Sequence, residues 1–537
     1  MAIRGGGGRL GDAKGADALA SLLKRMTPAP LANSQPQPAT SEDLAAALVR
    51  RSRIADPKIS RPRDPVANTK QKEVIRLPRH VIEQAIRQAD IMSELATPSP
   101  APLVLNDFGG AAYRRVSMLR SELERFVADA RAPNSVDETT RASVARLVGL
   151  GSLAHERIID PDADGYIGHD FGTSSTKAVV RWPYDRALGA FGVPVPAGWS
   201  SGGIPHIWPT VVHLHPATSR FTLLPETQSR ALSGFKSALI EGRGHRICAG
   251  SQATMADAAT AFLAMHLAYV LGTVLDRRTD AKISGVNIGV PVAALADSST
   301  YKAFSTIVRA AILLIPNAAS LTLDDVKVAL AVDDEGTLPF EIHTELAGAI
   351  AGYCAGPRPY LGPHMIVDCG SATLDIASFH LGNGLWPIAI HAAGVEPLGA
   401  DACDAYQKAG VTEEDCRDAA RHHEHRIFVA TLEQAPIAFG QDEDRCYRYQ
   451  VIAIGGGIFG PVHRPLLESM EAAFQRPFHR PNLDPSLLCE PGTHPGRLIL
   501  ADGLARAPVD LRQVAMPSDR PASVAPSRSA FISKDQM

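Results

Sequence analysis

The chain has 537 residues, of which 45% are hydrophobic and 21% charged, and its formal net charge is −3. A chain of this length and apolar content can form two or more packed domains. Its near-zero charge balance gives no general argument for a nucleic acid, another polyanion or a membrane surface as partner, and we expect none of these.

The cysteines and the ends of the chain suggest a cellular location. Seven cysteines are scattered along the sequence without a Cys-x-x-Cys pair or zinc-finger spacing, which is typical of free thiols in a reducing compartment. The first residues lack the apolar core of a secretory signal, and no later run approaches the roughly 18 apolar residues needed to span a bilayer. These patterns predict a soluble, cytoplasmic protein.

The first 155 residues divide into two regions. Residues 1–66 are rich in Gly, Pro, Ala, Ser and Arg, a composition that buries too little apolar surface to offset chain entropy, and we expect a disordered arm. Residues 67–155 repeat apolar residues at helical spacing, as in RHVIEQAIRQADIMSELA, and predict a helical amino-terminal module. We expect this part to dock an unidentified protein partner.

After Tyr166 the sequence pattern changes to short runs of β-branched residues with glycine turns, which alternate with alanine-rich predicted helices. Predicted strands include KAVVRW, RFTLL and GVNIGVPV, and ATMADAATAFLAMHLAYVLGTVL is a predicted helix. Strands mixed with helices in this way indicate an α/β fold. Residues 513–537, rich in Pro, Ser and Arg, predict a flexible tail.

Two predicted hairpins carry the chemistry, GYIGHDFGTSSTKAVVRW at 165–182 and HMIVDCGSATLDIASFHL at 364–381. Each has an apolar strand, Asp-x-Gly, a turn rich in Ser and Thr, and a second strand. Glycine lets the backbone approach an anion, while N–H groups and hydroxyls form a nest for phosphate oxygens. Asp170 and Asp368 would repel phosphate unless hydrated Mg²⁺ lies between. Lys177 adds a cation within reach of the phosphates.

A simpler alternative is that each hairpin is merely a favourable turn sequence. One hairpin alone leaves that alternative open. The repetition of the same design in two places favours a nucleotide site instead.

Five further stretches complete a family resemblance. DFGTSSTK and DCGSATLD resemble the two phosphate loops of the actin-like ATPase superfamily, which includes actin and the DnaK-type heat-shock chaperones. IAIGGGIFGPVHRPLLESM resembles its adenosine motif, HTELAGAIAGYCAG the helix before the second loop, GVNIGVPV the strand before that helix region, PLGADACDAY the turn after the second loop, and ILADGLARAP the last interdomain helix. The resemblance covers about residues 165–510.

The resemblance implies an α/β fold of two ribonuclease H-like lobes, each with a mixed five-stranded sheet, that close around ATP and Mg²⁺. It implies lobe I at 156–350, with the first phosphate loop, and lobe II at 351–512, with the second loop and the adenosine motif.

The resemblance also implies roles for single residues. By position Glu345 matches the Glu or Gln that the family uses near the attacking water. Catalytic roles are implied for Glu345, Asp368, Asp170 and Lys177, with Asp170 and Asp368 holding Mg²⁺ through water. The nucleotide-binding residues that it implies are Gly172, Thr173, Ser174, Ser175, Thr176, Gly370, Ser371, Thr373, Gly455, Gly456 and Gly457.

Departures from the family pattern bear on the activity. Ser371 and Ala372 replace two glycines that are usual in the second loop of the chaperones, which predicts a narrower approach and slow hydrolysis. The region between the second loop and the adenosine motif is short, so the subdomain that clamps adenine is expected to be reduced. We expect a divergent DnaK-like member without a peptide-binding domain.

Two other sequence features could suggest a metal site or a nucleophile but have simpler structural interpretations. RHHEHR, with His422, His423 and His425, lacks a further ligand at suitable spacing and predicts a solvated polar face. Cys369, inside the second loop, is predicted to be a small buried residue because neither loop supplies a nearby base.

The sequence thus favours an ATP-hydrolysing, chaperone-like conformational switch that acts on a protein partner. Three alternatives stay open: a sugar-kinase-like phosphotransferase, a nucleotide-binding pseudo-enzyme and an actin-like filament former. A kinase needs a catalytic base aspartate that we do not find, and the reduced subdomain disfavours a filament. The preference for ATP or GTP, the oligomeric state and the biological process stay open as well.

Overall fold

The computed structural model describes Ala112 and residues 132–133, 135–185, 189–200, 203–292, 298–332, 338–357, 359–381, 388–434, 449–511 and 514–515. The predicted arm at 1–66 lies outside the described residues, as does most of the predicted module at 67–155.

The described α-helices are mostly separated by strands. They are α1 (Glu138–Ile158), α2 (Phe235–Ile240), α3 (Met255–Arg277), α4 (Ser298–Leu314), α5 (Leu323–Leu330), α6 (Glu345–Ala355), α7 (Ala400–Lys408), α8 (Glu413–Gln434), α9 (His463–Phe474), α10 (Pro495–Leu504) and α11 (Pro508–Leu511). A 3₁₀ helix, Ile315–Ser320, follows α4.

The described strands are short and fall in three sheets. They are β1 (Tyr166–Asp170), β2 (Ser175–Arg181), β3 (Ala190–Gly192), β4 (Trp208–Pro209), β5 (Val212–His215), β6 (Arg220–Thr222), β7 (Arg230–Leu232), β8 (Gly285–Val290), β9 (Phe340–Thr344), β10 (Gly362–Cys369), β11 (Leu374–Leu381), β12 (Ile388–Glu396), β13 (Gln450–Ile454), β14 (Leu487–Leu488) and β15 (Val514–Ala515).

The two larger sheets are mixed and share one strand arrangement. The seven-stranded sheet has the order β14-β3-β2-β1-β8-β9, with β4 joined to β2, and the five-stranded sheet has the order β13-β10-β11-β12-β15. In the first, β1 lies between its antiparallel partner β2 and the parallel strand β8. In the second, β10 lies in the same way between β11 and β13. The fold is therefore mixed α/β, as the sequence predicts.

Helix α3 is the central helix of the larger core. It begins at a capping box, in which the Thr254 side chain accepts from the N–H of Asp257 and the Asp257 side chain accepts from the N–H of Thr254. The helix is long and apolar enough by composition to span a membrane, contrary to the sequence prediction, as is the stretch Ser298–Ser320. The most apolar window of α3 is entirely buried inside the protein. Burial on all sides accounts for its lack of a polar face.

Helix α1 packs against α3 at a close backbone approach. A Cβ on Gly151 would lie 2.8 Å from the carbonyl carbon of Ala268, so only glycine permits this contact. Val144 and Leu147 of α1 belong to the same core cluster as Ile167 of β1 and Val180 of β2. The predicted boundary between residues 155 and 156 thus falls inside a helix of this core.

The carboxyl-terminal part of the chain also crosses the predicted boundaries. Strand β14 pairs with β3 in the seven-stranded sheet, although its residues fall in the predicted lobe II. The boundary at 350 and 351 falls inside α6. Residues 514–515, within the predicted flexible tail, pair with β12. Sequence order misplaces these segments because long-range pairing decides which sheet a strand joins.

Candidate functional site

The two hairpins hold their acidic residues at matching positions. Asp170, the last residue of β1, is the cross-strand partner of Lys177. Asp368, one residue before the end of β10, is the cross-strand partner of Asp375. In both hairpins the small residues of the turn follow directly, so each turn lies at the same end of its strand pair.

Both turns open onto one cleft of about 270 Å³. Fourteen of the residues predicted from the sequence line it. They are Asp170, Gly172, Thr173, Ser174, Ser175, Lys177, Glu345, Asp368, Gly370, Ser371, Thr373, Gly455, Gly456 and Gly457.

The structure does not bring the Thr176 side chain to this cleft. Thr176 is fully buried, and its hydroxyl shares a hydrogen bond of 2.9 Å with the hydroxyl of Thr210. Thr210 in turn donates to the carbonyl of Gly172. Alternation along β2 turns Thr176 away while Ser175 and Lys177 face the cleft, so Thr176 supports the loop from behind.

Lys177 and Asp170 form an ion pair at the floor of the first loop. The Lys177 Nζ donates to Asp170 Oδ2 at 3.0 Å and to the carbonyl of Ser175 at 3.2 Å. Both side chains are largely buried. The ammonium is therefore held beside the loop hydroxyls rather than free in solvent.

Glu345 is positioned by the start of α6. Thr344 caps this helix, since its side chain accepts from the N–H of Ala347. The Glu345 carboxylate forms an ion pair with Lys236, whose side chain is 3% exposed. Burial raises the pKa of Glu345, while the positive charge of Lys236 opposes that rise. The ion pair thus favours the ionised carboxylate.

Asp368 and Asp375 lie in a buried group of carboxylates. Burial and, next, the charge of Glu345 raise the pKa of Asp368 to about 7. Burial first, then Glu345 and Asp368, raises the pKa of Asp375 well above its usual value. The Thr373 hydroxyl donates to Asp375 at 2.7 Å. Since like charges here oppose one another, this side of the cleft would gain from a cation.

The glycine turn after β13 closes over the second loop. Gly455 has φ +87°, a left-handed conformation that favours glycine, and a Cβ there would meet Asp368 and the backbone of Cys369. The N–H of Gly457 donates to the carbonyl of Cys369 at 2.8 Å. The absence of side chains thus lets this turn lie directly on the end of β10.

Helix α10 joins the two sides of the cleft. A Cβ on Gly503 would meet the carbonyl of Gly348, so α10 and α6 cross with their backbones in contact. At its other end the carbonyl of Gly496 accepts from the N–H of Gly455 at 3.2 Å. Arg497 of this helix lines the cleft.

Ser371, one of the departures from the family pattern, is tied back by its side chain. Its hydroxyl donates to Asp401 at 2.6 Å, and its carbonyl accepts from the N–H groups of Asp401 and Ala402. The hydroxyl is therefore engaged with the start of α7. This hydrogen bond fixes the second loop on that helix.

Two other predictions meet different outcomes. Cys369 is fully buried at the end of β10, as predicted. His423 lies on helix α8, but it is fully buried, so the reading of the His cluster as wholly solvated is wrong for this residue. Its ring lies against the backbone of Gly394 on β12, because one face of α8 packs on that strand.

Four charged residues that line the cleft were not predicted as site residues: Lys236, Asp375, Asp401 and Arg497. Asp375 is the last residue of the DCGSATLD motif, and Asp401 lies in PLGADACDAY, so local signals for these two exist. Lys236 and Arg497 stand in no motif that the sequence analysis used. Only the tertiary contacts bring them to the cleft.

The side chains at the cleft that could ligate a metal ion are carboxylates and hydroxyls, so their ligand atoms are oxygens. Among the residues that the structure describes, no group of three His, Cys, Asp or Glu side chains is arranged to hold a metal ion directly. Carboxylates and hydroxyls are the ligands of hard cations such as Mg²⁺, which commonly keeps several waters. The oxygen ligands at the cleft therefore fit a hard cation such as Mg²⁺.

No protein-family model matches the chain, and no curated protein matches it. The chemistry of the cleft is therefore the basis for assigning a function.

Proposed function

We propose that the protein is a Mg-ATP-binding and ATP-hydrolysing conformational switch of the actin-like kind, with the nucleotide in the cleft between the two hairpins. We further propose that it acts on a protein partner through its amino-terminal region. The observation that carries the proposal is the repeated design of the hairpins.

That repetition has two parts. Each hairpin belongs to a mixed sheet in which its first strand has an antiparallel neighbour on one side and a parallel neighbour on the other. Each places an aspartate, a glycine and small hydroxyl residues at the turn, and both turns line one cleft. Two hairpins of the same design whose turns line one cleft support the two-lobed architecture implied by the resemblance.

The proposed ligand suits the residues at the cleft. N–H groups and hydroxyls of the two turns provide donors for phosphate oxygens. Lys177, held by Asp170, provides a charge. The Gly455–Gly457 turn lines the same cleft and would adjoin the nucleoside.

Mg²⁺ would be held through water by Asp170 and Asp368, with Asp375 nearby. When bound, the ion would neutralise charge on the phosphate oxygens. Burial first raises the pKa values of Glu345, Asp368 and Asp375, and the charge of Glu345 next raises those of Asp368 and Asp375. This cost of holding negative charge supports the need for a cation on this side.

Glu345 is the proposed catalytic base. It would orient a water toward the terminal phosphate and accept the proton that the water loses as its oxygen bonds to phosphorus. The bond to the leaving diphosphate breaks in the same step, so ADP and inorganic phosphate result. Lys236 supports this role because its ammonium holds the carboxylate ionised and in place.

The mechanical part of the proposal depends on helices α6 and α10. These helices cross in backbone contact, and α10 packs against β1 and β2 while its first turn bonds to the glycine turn after β13. A change at the terminal phosphate would therefore be transmitted to both sheets through helices α6 and α10. Closure around a phosphate is a common way to turn hydrolysis into a change of shape.

The test is hydrolysis by a variant that removes the base while keeping its size. Glu345→Gln should lower phosphate release in a single turnover by about 10²-fold, the scale of a lost positioned base, while ATP affinity changes little. Glu468→Gln, an exposed residue of α9, is the matched control and should hydrolyse at the wild-type rate.

Other outcomes select the alternatives. Hydrolysis by Glu345→Gln at the wild-type rate would refute the assigned base. Binding without hydrolysis in the wild type would indicate the pseudo-enzyme. Phosphate transfer to added sugars would indicate a kinase, and light scattering that rises with ATP would indicate a filament.

A further inference from the structure

Arg497 is an arginine in the cleft to which the proposed catalytic step assigns no role. It is the third residue of α10. Its guanidinium lies across the face of Gly456, where a Cβ would come within 2.8 Å of the guanidinium carbon. On its other side an Nη atom donates to the hydroxyl of Ser175 at 3.5 Å. The guanidinium therefore lies between the glycine turn of one sheet and the first loop of the other.

The charge of Arg497 is not neutralised by an ion pair, whereas the charges of the two lysines at the cleft are. Lys177 pairs with Asp170 and Lys236 with Glu345. Within the described ranges, no carboxylate oxygen lies within ion-pair distance of Arg497. Burial lowers its pKa, and carboxylates at longer range, Asp170 first among them, oppose that shift. An arginine stays protonated under such conditions.

A purely structural role accounts poorly for this placement. An arginine that holds protein elements together typically donates to carboxylates or carbonyls. Here the donor fork has one long hydrogen bond to a hydroxyl, and it faces a cleft that already holds hydroxyls and N–H groups. Among the described residues, the hydrogen bond to Ser175 is the one that its side chain makes, and the residue lines the cleft, so its other donors are available to a ligand there.

On the basis of the proposed function, we infer that Arg497 binds the phosphate that adjoins the nucleoside. Arg497 would thereby make the cleft select phosphorylated ligands over free nucleosides. The planar fork of a guanidinium matches two phosphate oxygens at once. Gly456 is required beneath it, because any side chain there would displace the guanidinium. Arg497 and Ser175 would thus bring the two sides of the cleft together on one phosphate group.

Calorimetric titration of the full chain with ATP, ADP and adenosine tests the inference. Arg497→Ala should weaken ATP and ADP by about 10- to 100-fold, the scale of a hydrogen bond to a charged group, and leave adenosine unchanged. Arg497→Lys keeps the charge without the fork and should recover only part of the loss. Arg464→Ala, an exposed arginine of α9, removes one positive charge elsewhere and should bind all three like the wild type.

A double-mutant cycle separates phosphate binding from support of the glycine turn. Gly456 does not have a positive φ, so Gly456→Ala mainly pushes the guanidinium aside. It should weaken ADP in the wild-type background and have little further effect in Arg497→Ala. Independent, additive losses in ADP affinity would overturn the inference.

The two proposals fail in different ways. If the wild type binds ATP and ADP and Arg497→Ala binds them equally well, the role of Arg497 is wrong while the nucleotide site stands. If Arg497→Ala weakens adenosine as much as ADP, the residue is structural and the inference is also wrong. If the wild type binds no nucleotide, both proposals fall together.

Discussion

The hairpin of β1 and β2 and the hairpin of β10 and β11 have the same backbone pairing but opposite charges at one position. Asp170 faces Lys177 across the first pair, whereas Asp368 faces Asp375 across the second. The first side of the cleft thus offers a cation, and Lys236 adds another from α2. The second side offers carboxylates whose pKa values are raised by burial and by each other.

This difference shows that a shared backbone design does not fix a shared role. The lysine side suits phosphate oxygens, and the carboxylate side suits a hydrated cation that could lie between it and the phosphates. A nucleotide with its metal would complement both sides together. Changes that exchange or remove these charges therefore test the comparison directly.

The largest effect is expected for the cation that holds Glu345. Lys236→Met leaves Glu345 charged and without its partner in a buried site, which should lower the free energy of unfolding by about 3–5 kcal/mol. Urea denaturation measures it. Adding Glu345→Gln to this variant should recover part of the loss. Lys327→Met, on the exposed face of α5, is the control and should stay within about 0.5 kcal/mol of wild type. An equally small change in Lys236→Met would show that the pair contributes no stability.

The next effect comes from giving the first hairpin the residue pair of the second. Lys177→Asp removes a charge-assisted phosphate contact and places a second carboxylate beside Asp170, so ATP affinity should fall by about 10²- to 10³-fold. Lys177→Met removes only the contact and should cost about 10- to 100-fold. Calorimetry compares the two. Equal losses would mean that charge at this position does not distinguish the hairpins.

A smaller effect concerns pH. The pKa of Asp368 is about 7 in the folded protein, against about 4 in an unfolded chain. The folded state therefore binds a proton more tightly, and its stability from this group is greatest below about pH 4 and is lost as pH rises through 7. Burial first, and then the charges of Glu345 and Asp368, raise the pKa of Asp375 well above its usual value, so its own contribution to stability is also lost as pH rises. Asp375→Asn removes that contribution, so the decline in stability between pH 5 and 8, without metal, should shrink by about 1–3 kcal/mol.

The control for the pH experiment is Asp162→Asn, an exposed residue before β1. It should reproduce the wild-type slope of unfolding free energy against pH. A slope for Asp375→Asn as steep as that of the control would contradict the raised pKa of Asp375 in the folded protein.

The smallest effect is expected at Ser371. Ser371→Gly restores the glycine of the family pattern but removes the hydroxyl that donates to Asp401, and should cost about 1 kcal/mol of stability. Ser174→Gly in the first loop is the matched change. Thermal unfolding measures the stability of both variants. If Ser371→Gly and Ser174→Gly lose the same stability, the loss comes from the flexibility of glycine and the hydrogen bond to Asp401 contributes nothing further.

Much of the candidate site can be predicted from the motifs because each motif is a short continuous stretch of sequence. Asp170, Lys177 and Asp368 follow directly from the two hairpin sequences, whereas Glu345 was assigned because HTELAGAIAGYCAG resembles the family helix before the second loop. Period-2 alternation by itself would have placed Thr176 on the face opposite to Lys177 and Ser175. The sequence analysis grouped all four hydroxyls instead, and the structure turns Thr176 inward.

The α/β fold class, the two hairpins and the residues at their turns can be predicted from the sequence, because strand, turn and glycine preferences act over a few residues. Long-range packing brings Lys236 and Arg497 to the cleft and joins β14 to the first sheet. Burial in the folded protein raises the pKa of Asp375. These outcomes depend on burial, on the crossing of α6 and α10 and on pairing between distant segments, and no local pattern of residues encodes them.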